Sequence, residues 1–203
     1  MKITRVELQK NDNTRFSLFS GDEYIMSVSA ENLAKYGYGE FEISDEDLKE
    51  LMKKEDIEKA YKRALRYTSK SLKSSKEVID YLYKHKISPD LHEEIISRLK
   101  DLGLLDDERY LEIYLEEKFN YSSDGSIKIK NKLYQKGFKS TDVDPHLHKF
   151  KEIEFENLKK LIENRRNSRK KEDKNKLIRF LLSKGYEYSM ISEVIGDYFS
   201  EEF

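Results

Sequence analysis

Cysteine is absent from this chain of 203 residues, so neither disulfides nor thiolate metal sites can hold the fold or do chemistry in it. Long apolar runs are absent too. None approaches the roughly 18 residues that cross a bilayer, and the first residues, Met1-Lys2-Ile3-Thr4-Arg5, lack the apolar core of a signal peptide. A soluble, cytoplasmic protein with no membrane partner is expected. Glycine-rich phosphate loops and nucleophile elbows do not occur. The histidines, His85, His92, His146 and His148, offer no metal-ligand spacing, and the last pair, two residues apart, falls on different sides of a helix. No catalytic residue, metal or cofactor is expected, and the chain reads as a non-enzyme.

What is abundant is charge. Asp, Glu, Lys and Arg make up 39% of the residues and the mean hydropathy is -0.85, a composition that leans toward disorder. Against this, Leu, Ile, Val and Phe number 53. That share exceeds the roughly 20% typical of disordered chains, and these residues fall at helical spacing. The prediction is a folded protein with thin cores.

Three stretches share one pattern: Tyr81-Leu82-Tyr83-Lys84-His85-Lys86-Ile87, Lys132-Leu133-Tyr134-Gln135-Lys136-Gly137-Phe138 and Phe180-Leu181-Leu182-Ser183-Lys184-Gly185-Tyr186. The leucines are 51 and 48 residues apart, and each is followed five positions later by a large apolar residue. Four residues upstream lie Val78, Ile129 and Leu177; nine beyond the last apolar residue come Ile96, Leu147 and Ile195. Self-similarity at this period means one helical unit used three times, its apolar faces buried by its neighbours.

The fold class expected is mainly α: three tandem three-helix repeats in an elongated curved array, preceded by a small β meander with short helices. The boundaries fall at 1–54 for the β-rich extension and at 55–105, 106–150 and 151–203 for the repeats. Helices A, B and C are predicted at 56–69, 75–85 and 89–102, then at 107–120, 126–136 and 141–149, then at 152–167, 171–184 and 189–199. Ser74 and Glu77 have capping-box spacing, and Ser88-Pro89 places an N-cap and an N1 proline before a helix. Gly137 and Gly185 sit where a helix ends in the left-handed conformation. Repeat one has Lys86 there, which predicts a different corner. Ahead of the repeats, strands are expected over 2–9, 14–19 and 24–28. A short helix capped by Ser29 and ended by Gly37 follows, then another that begins at Ser44. The fourteen tyrosines mostly take helical core spacings, as Tyr61, Tyr67, Tyr81, Tyr110 and Tyr114 do.

A net charge of -1 conceals strong polarisation. Lys59, Lys62, Arg63, Arg66, Lys70, Lys73 and Lys76 occur without an intervening acid, as do Lys128, Lys130, Lys132, Lys136 and Lys139. A third cluster holds Arg165, Arg166, Arg169, Lys170, Lys171, Lys174 and Arg179. In each repeat the basic residues gather around helix B and, in repeats one and three, around the end of helix A. A recurrent basic edge on stacked units is the footprint expected for a polyanion or an acidic protein groove. The candidate binding residues are therefore Lys62, Arg63, Arg66, Lys70, Lys73, Lys76, Lys128, Lys130, Lys132, Lys136, Arg165, Arg166, Arg169, Lys170, Lys171, Lys174 and Arg179.

Gly103-Leu104-Leu105-Asp106-Asp107-Glu108-Arg109-Tyr110, followed by Tyr114, closely resembles the signature of the RecX family, regulators of the bacterial recombinase RecA. Ala64-Leu65-Arg66-Tyr67 with Ser69 and Ser74 resembles that family's first helix pair, and Lys136-Gly137-Phe138 and Lys184-Gly185-Tyr186 are similar to its recurring corners. Physical chemistry gives the signature a structural role. Asp106 is expected to cap the first helix of repeat two, Asp107 and Glu108 to supply charge at its N-terminus, and Leu104 and Leu105 to bury the joint between repeats.

The resemblance implies a negative modulator of RecA, acting as a monomer in the bacterial cytoplasm. Such a protein binds the groove of the RecA filament on single-stranded DNA and limits filament extension or promotes disassembly. It thereby inhibits ATPase, strand exchange and coprotease activities in homologous recombination and the SOS response. Single-stranded DNA, more weakly, and double-stranded DNA are further partners on this reading. The alternative is a direct DNA-binding protein of helix-turn-helix type. Helices C begin Asp90-Leu91-His92, Asp142-Val143-Asp144 and Ser189-Met190-Ile191, which are poor base readers. A scaffold of helical repeats with an unrelated partner is a third possibility.

Overall fold

Residues 1–168 and 173–200 are described by the computed structural model. The protein is mainly helical, with small antiparallel sheets in its N-terminal segment. The chain divides into two units, Met1–Ser71 with Tyr81–Leu102, and Leu72–Asp80 with Gly103–Phe203.

The first unit opens with four strands, β1 (Lys2–Ile3), β2 (Arg5–Gln9), β3 (Asp12–Ser20) and β4 (Glu23–Ser29). The expected strand 2–9 is two strands. Thr4 interrupts it, its amide bonded to the Phe19 carbonyl at 2.9 Å. β2, β3 and β4 form an antiparallel meander with Val6 opposite Leu18, and Phe16 opposite Val28. α1 (Ala30–Leu33) follows, capped by Ser29 as expected, its hydroxyl accepting from the Asn32 amide. β1 pairs instead with β5 (Phe41–Glu42), placing Ile3 opposite Phe41. Ile3, Leu18, Met26, Val28, Leu33, Ile43, Leu48 and Leu51 form one buried cluster.

The last two belong to α2 (Asp45–Thr68), a single helix of 24 residues. The sequence predicted two helices here. No glycine or proline interrupts 45–68, so propagation continues once Ser44 has capped the start through the Asp47 amide. The helix buries Glu55 as well as Leu48, Leu51, Ile57, Ala60 and Ala64. Glu55, 1% exposed, accepts from Arg15 Nη2 at 2.6 Å, Ser29 N at 2.8 Å, Ser29 Oγ at 2.9 Å and Asn32 Nδ2 at 2.8 Å. Burial alone would raise this carboxyl. The donors from Asn32, Ser29 and Arg15 outweigh burial and hold it below the usual carboxylate range.

α3 (Ser75–Lys84) starts in the second unit and ends in the first. Its C-terminal corner closes on Lys86, whose φ is 56°, with the Ile87 amide bonded to the Leu82 carbonyl at 3.0 Å. A 3-10 turn at Pro89–Leu91 then leads into α4 (His92–Asp101), which packs against α2. Arg98 of α4 bonds Glu58 at 2.7 Å and lies 4.0 Å over the Tyr61 ring. The Lys86 corner does not differ from its counterparts as expected. Phe138 bonds Leu133 and Tyr186 bonds Leu181 in the same way, around left-handed Gly137 and Gly185. Lys86 adopts a conformation that costs a residue with a β-carbon about 1–2 kcal/mol.

The second unit continues with α5 (Asp107–Tyr121), α6 (Ser126–Gln135) and α7 (Ser140–Leu147), then a 3-10 turn at His148–Phe150. Tyr110, Leu111, Leu115, Phe119, Ile129, Leu133, Phe138 and Val143 are its first buried cluster. α8 (Lys151–Ser168), α9 (Lys174–Lys184) and α10 (Tyr188–Ser200) supply the second, with Leu158, Ile162, Leu177, Leu181, Tyr186, Ile191, Val194 and Ile195. The three aligned leucines, Leu82, Leu133 and Leu181, are all fully buried. Of the tyrosines expected at core positions only Tyr110 is buried; Tyr61, Tyr67, Tyr81 and Tyr114 are half-buried, with Tyr67 and Tyr81 stacked at 4.2 Å. Among the described residues no helix is long and apolar enough to cross a membrane.

Candidate interaction surface

The second unit joins consecutive repeats by one device used twice. In the first instance the start of α3 receives the α6–α7 corner. Ser74 Oγ donates to the Lys136 carbonyl at 2.9 Å, while Ser74 and Glu77 form the predicted capping box. Glu77 also takes Lys136 Nζ at 2.6 Å. Asp107 reaches across to accept from Ser75 N at 2.7 Å and Ser75 Oγ at 2.5 Å. In the second instance the start of α6 receives the α9–α10 corner. Gly125 N donates to the Lys184 carbonyl at 2.9 Å, Ile127 N to the Gly185 carbonyl at 3.0 Å, and Ser126 N to Glu154 Oε1 at 2.6 Å.

These contacts explain the corner glycines. A β-carbon on Gly137 would lie 2.5 Å from Lys76 Cβ, and one on Gly185 would lie 2.5 Å from the Lys128 backbone nitrogen. Conformation and close approach therefore both demand glycine. Lys86, in repeat one, has no preceding helix B to meet, and it is exposed.

The acidic signature divides between two tasks. Asp106 caps α5 as expected, accepting from the Arg109 amide at 3.0 Å. Asp107 is more than helix-end charge, because it caps the preceding repeat's α3. That role was not read from the sequence, nor was that of Glu154; a polar residue at helix B's first turn in every repeat was the available signal. Glu154 is 5% exposed and burial raises its carboxyl, against the Ser126 hydrogen bonds. Tyr186 nearby is also pushed up by burial, with the Glu154 and Asp124 charges adding to the shift. At the first joint, burial would lower Lys136, but hydrogen bonds with Glu77 and Tyr110 raise it overall.

The candidate basic residues fall into different environments. On the first unit Lys62, Arg63 and Arg66 are exposed at the end of α2, with Lys70 exposed beyond it, and Arg66 Nε donates to the Lys62 carbonyl at 3.3 Å. In the second unit Lys73 is half-buried and Lys76 pairs with Asp80. The lysines of α6 carry acids from outside their own acid-free stretch. Lys128 and Lys132 share Asp124 at 2.8 and 2.5 Å, Lys130 takes Asp144 at 2.7 Å, and Lys136 takes Glu77. At the third repeat the Arg165 guanidinium stacks 3.7 Å over Phe180, Arg166 is half-buried beside it in sequence, and Lys174 and Arg179 are exposed on α9. Arg169, Lys170 and Lys171 lie outside the described residues. At the start of the first helix C, expected to read bases poorly, His92 is buried and bonded to the Ile87 carbonyl at 3.1 Å.

Three family models match the chain: the regulatory protein RecX N-terminal domain over residues 1–38, the first three-helix domain of RecX over 60–99 and the third over 152–195. Regulatory protein RecX of Clostridium botulinum strain Eklund 17B is 35% identical, covering 97% of this chain and 95% of that one. The protein of the same name from Halalkalibacterium halodurans is 32% identical over 96% of this chain and 77% of its own length. Among solved structures, a crystal structure of regulatory protein RecX matches with a TM-score of 0.77 at 24% identity, covering 97% of this chain and all of the other. The crystal structure of RecX from Lactobacillus salivarius matches 70% of this chain and 96% of its own at 33% identity, with a TM-score of 0.64.

Proposed function

Because the chain belongs to the RecX family of regulatory proteins, we propose that it restrains the recombinase RecA by binding the groove of RecA filaments on single-stranded DNA. As a regulatory protein of this family it is not an enzyme. Bound along the groove, it bridges neighbouring protomers and limits filament extension or promotes disassembly. ATP hydrolysis, strand exchange and coprotease action then fall together.

The observation that carries the reading is how basic charge is disposed. Lys62, Arg63, Arg66 and Lys70 in repeat one, and Arg179 in repeat three, present exposed cations. The repeat-two lysines of α6, and Lys136 just after it, are paired with Asp124, Asp144 and Glu77. Contact with phosphates and acidic protomer surfaces is accordingly assigned to repeats one and three, while the repeat-two lysines brace the fold. A polyanion contact of this kind weakens steeply with salt through counterion release.

The test is the DNA-dependent ATPase of RecA with this protein added below stoichiometry. Inhibition at a small fraction of the RecA concentration is expected, since one bound molecule affects many protomers. No inhibition at equimolar protein removes the proposal. Reversing Lys62, Arg63, Arg66 and Lys70 to glutamate should weaken inhibition with helicity unchanged, because exposed charges contribute little to stability.

A further inference from the structure

A groove of about 630 Å³ runs between the first turns of α8 and α10, on the third repeat. Phe155 and Met190, both half-buried, line it, and carboxylates surround them. On α8, Glu152 and Glu156 are four residues apart, a like-charge spacing that disfavours an isolated helix. Glu187, just ahead of α10, and Glu193 within it complete the acidic lining, and Lys151 is the one cation in it. Glu156 pairs with Lys159 at 3.2 Å, and the Lys159 ammonium lies 4.6 Å from the centre of the Phe155 ring. Glu152, Glu187 and Glu193 have no ion pair among the described residues, in a chain whose 39 basic and 40 acidic groups could have supplied one. Three unneutralised carboxylates around an apolar floor repel one another. A ligand that brings cations and an apolar side chain together relieves that repulsion and covers the floor.

We propose that this groove docks a basic amphipathic segment of a protein partner, its apolar residue seated on Phe155 and Met190 and its lysines or arginines on Glu152, Glu187 and Glu193. Nucleic acid is excluded from it by charge. The groove is therefore a second contact of opposite sign to the basic clusters, and it does not depend on RecA being the partner.

The four methionines make a direct readout available. With the methionine methyls of the full chain labelled for NMR, an amphipathic leucine-lysine peptide of helical period should move the Met190 signal saturably. Met26 and Met52, in the first unit, should stay in place. Neutralising E152Q/E187Q/E193Q should weaken the peptide by about tenfold or more, as loss of complementary charge does, with unchanged circular dichroism. Spermine, which carries charge without an apolar anchor, should move Met190 far less. A still Met190 signal overturns the proposal, as does equal affinity in the triple variant or an equal response to spermine.

Discussion

The two units solve the same problem, joining thin layers, in opposite ways. In the first, one buried carboxylate, Glu55, gathers donors from β3, from the end of β4 and from α1, so sheet and helix depend on a single point. In the second, a helix start receives a left-handed corner and a neighbouring acid, and this arrangement is built twice, mainly through side chains at one joint and mainly through backbone groups at the other. A hub concentrates its energy and fails as a whole. A repeated joint distributes it, and one copy can be lost while the other persists.

The strongest test of this contrast is Glu55→Ala, which leaves Arg15 bonded to Ser27 but without its carboxylate and removes four acceptor contacts. Breaking a buried pair in this way costs about 3–5 kcal/mol. Hydrogen exchange should show protection lost across β2, β3, β4 and α1 while α5 to α10 keep theirs. Equal loss in both units would dissolve the distinction.

Next in size is Gly185→Ala. A left-handed alanine costs about 1–2 kcal/mol and overpacking against the α6 backbone about 1–3 kcal/mol. The loss should appear in α6, α9 and α10, with the joint at Gly137 intact. Simultaneous failure of both joints in a denaturation profile would show that they are not independent.

Acid sharpens the comparison further, because the two buried glutamates shift in opposite directions. Glu55 lies below its ordinary value of 4.5, so its contribution is complete above that pH and disappears as pH falls through its folded pKa. Glu154 lies above 4.5, so the fold gains at that site as pH falls through the raised value. Carboxyl NMR titration should place Glu154 above and Glu55 below 4.5; the reverse order would refute both assignments.

The smallest effect is a gain. Lys86→Gly should stabilise the first unit by about 0.5–1 kcal/mol, the relief of left-handed strain less the added freedom of the unfolded chain. Thermal unfolding of the variant checks this, and a lower midpoint would mean that the Lys86 side chain contributes something its exposure conceals.

The repeated parts were legible because a period leaves a trace. Leu82, Leu133 and Leu181, the capping box at Ser74, the cap at Asp106 and the corner glycines all followed from spacing. What was missed is what no period marks. Glu55 lies on a helix whose acids mostly face solvent, and its burial depends on Arg15, Ser29 and Asn32 arriving from distant sequence. The lysines of α6 looked like a free basic edge because their own stretch holds no acid, yet Glu77 is 59 residues from Lys136. A run of like charge in sequence says nothing about the counter-charges that folding delivers. Lys86 shows the same limit, since an unfavourable residue still takes the left-handed corner when the surrounding helix ends require it.

The corner glycines also give the array a direction of growth. Each joint has a receiving side, the helix start, and an inserting side, a corner without a β-carbon. A tandem duplication of the middle repeat reproduces both sides and so extends the stack with no new chemistry. A repeat placed ahead of the first would have to receive Lys86, whose β-carbon occupies the space that Gly137 and Gly185 leave open.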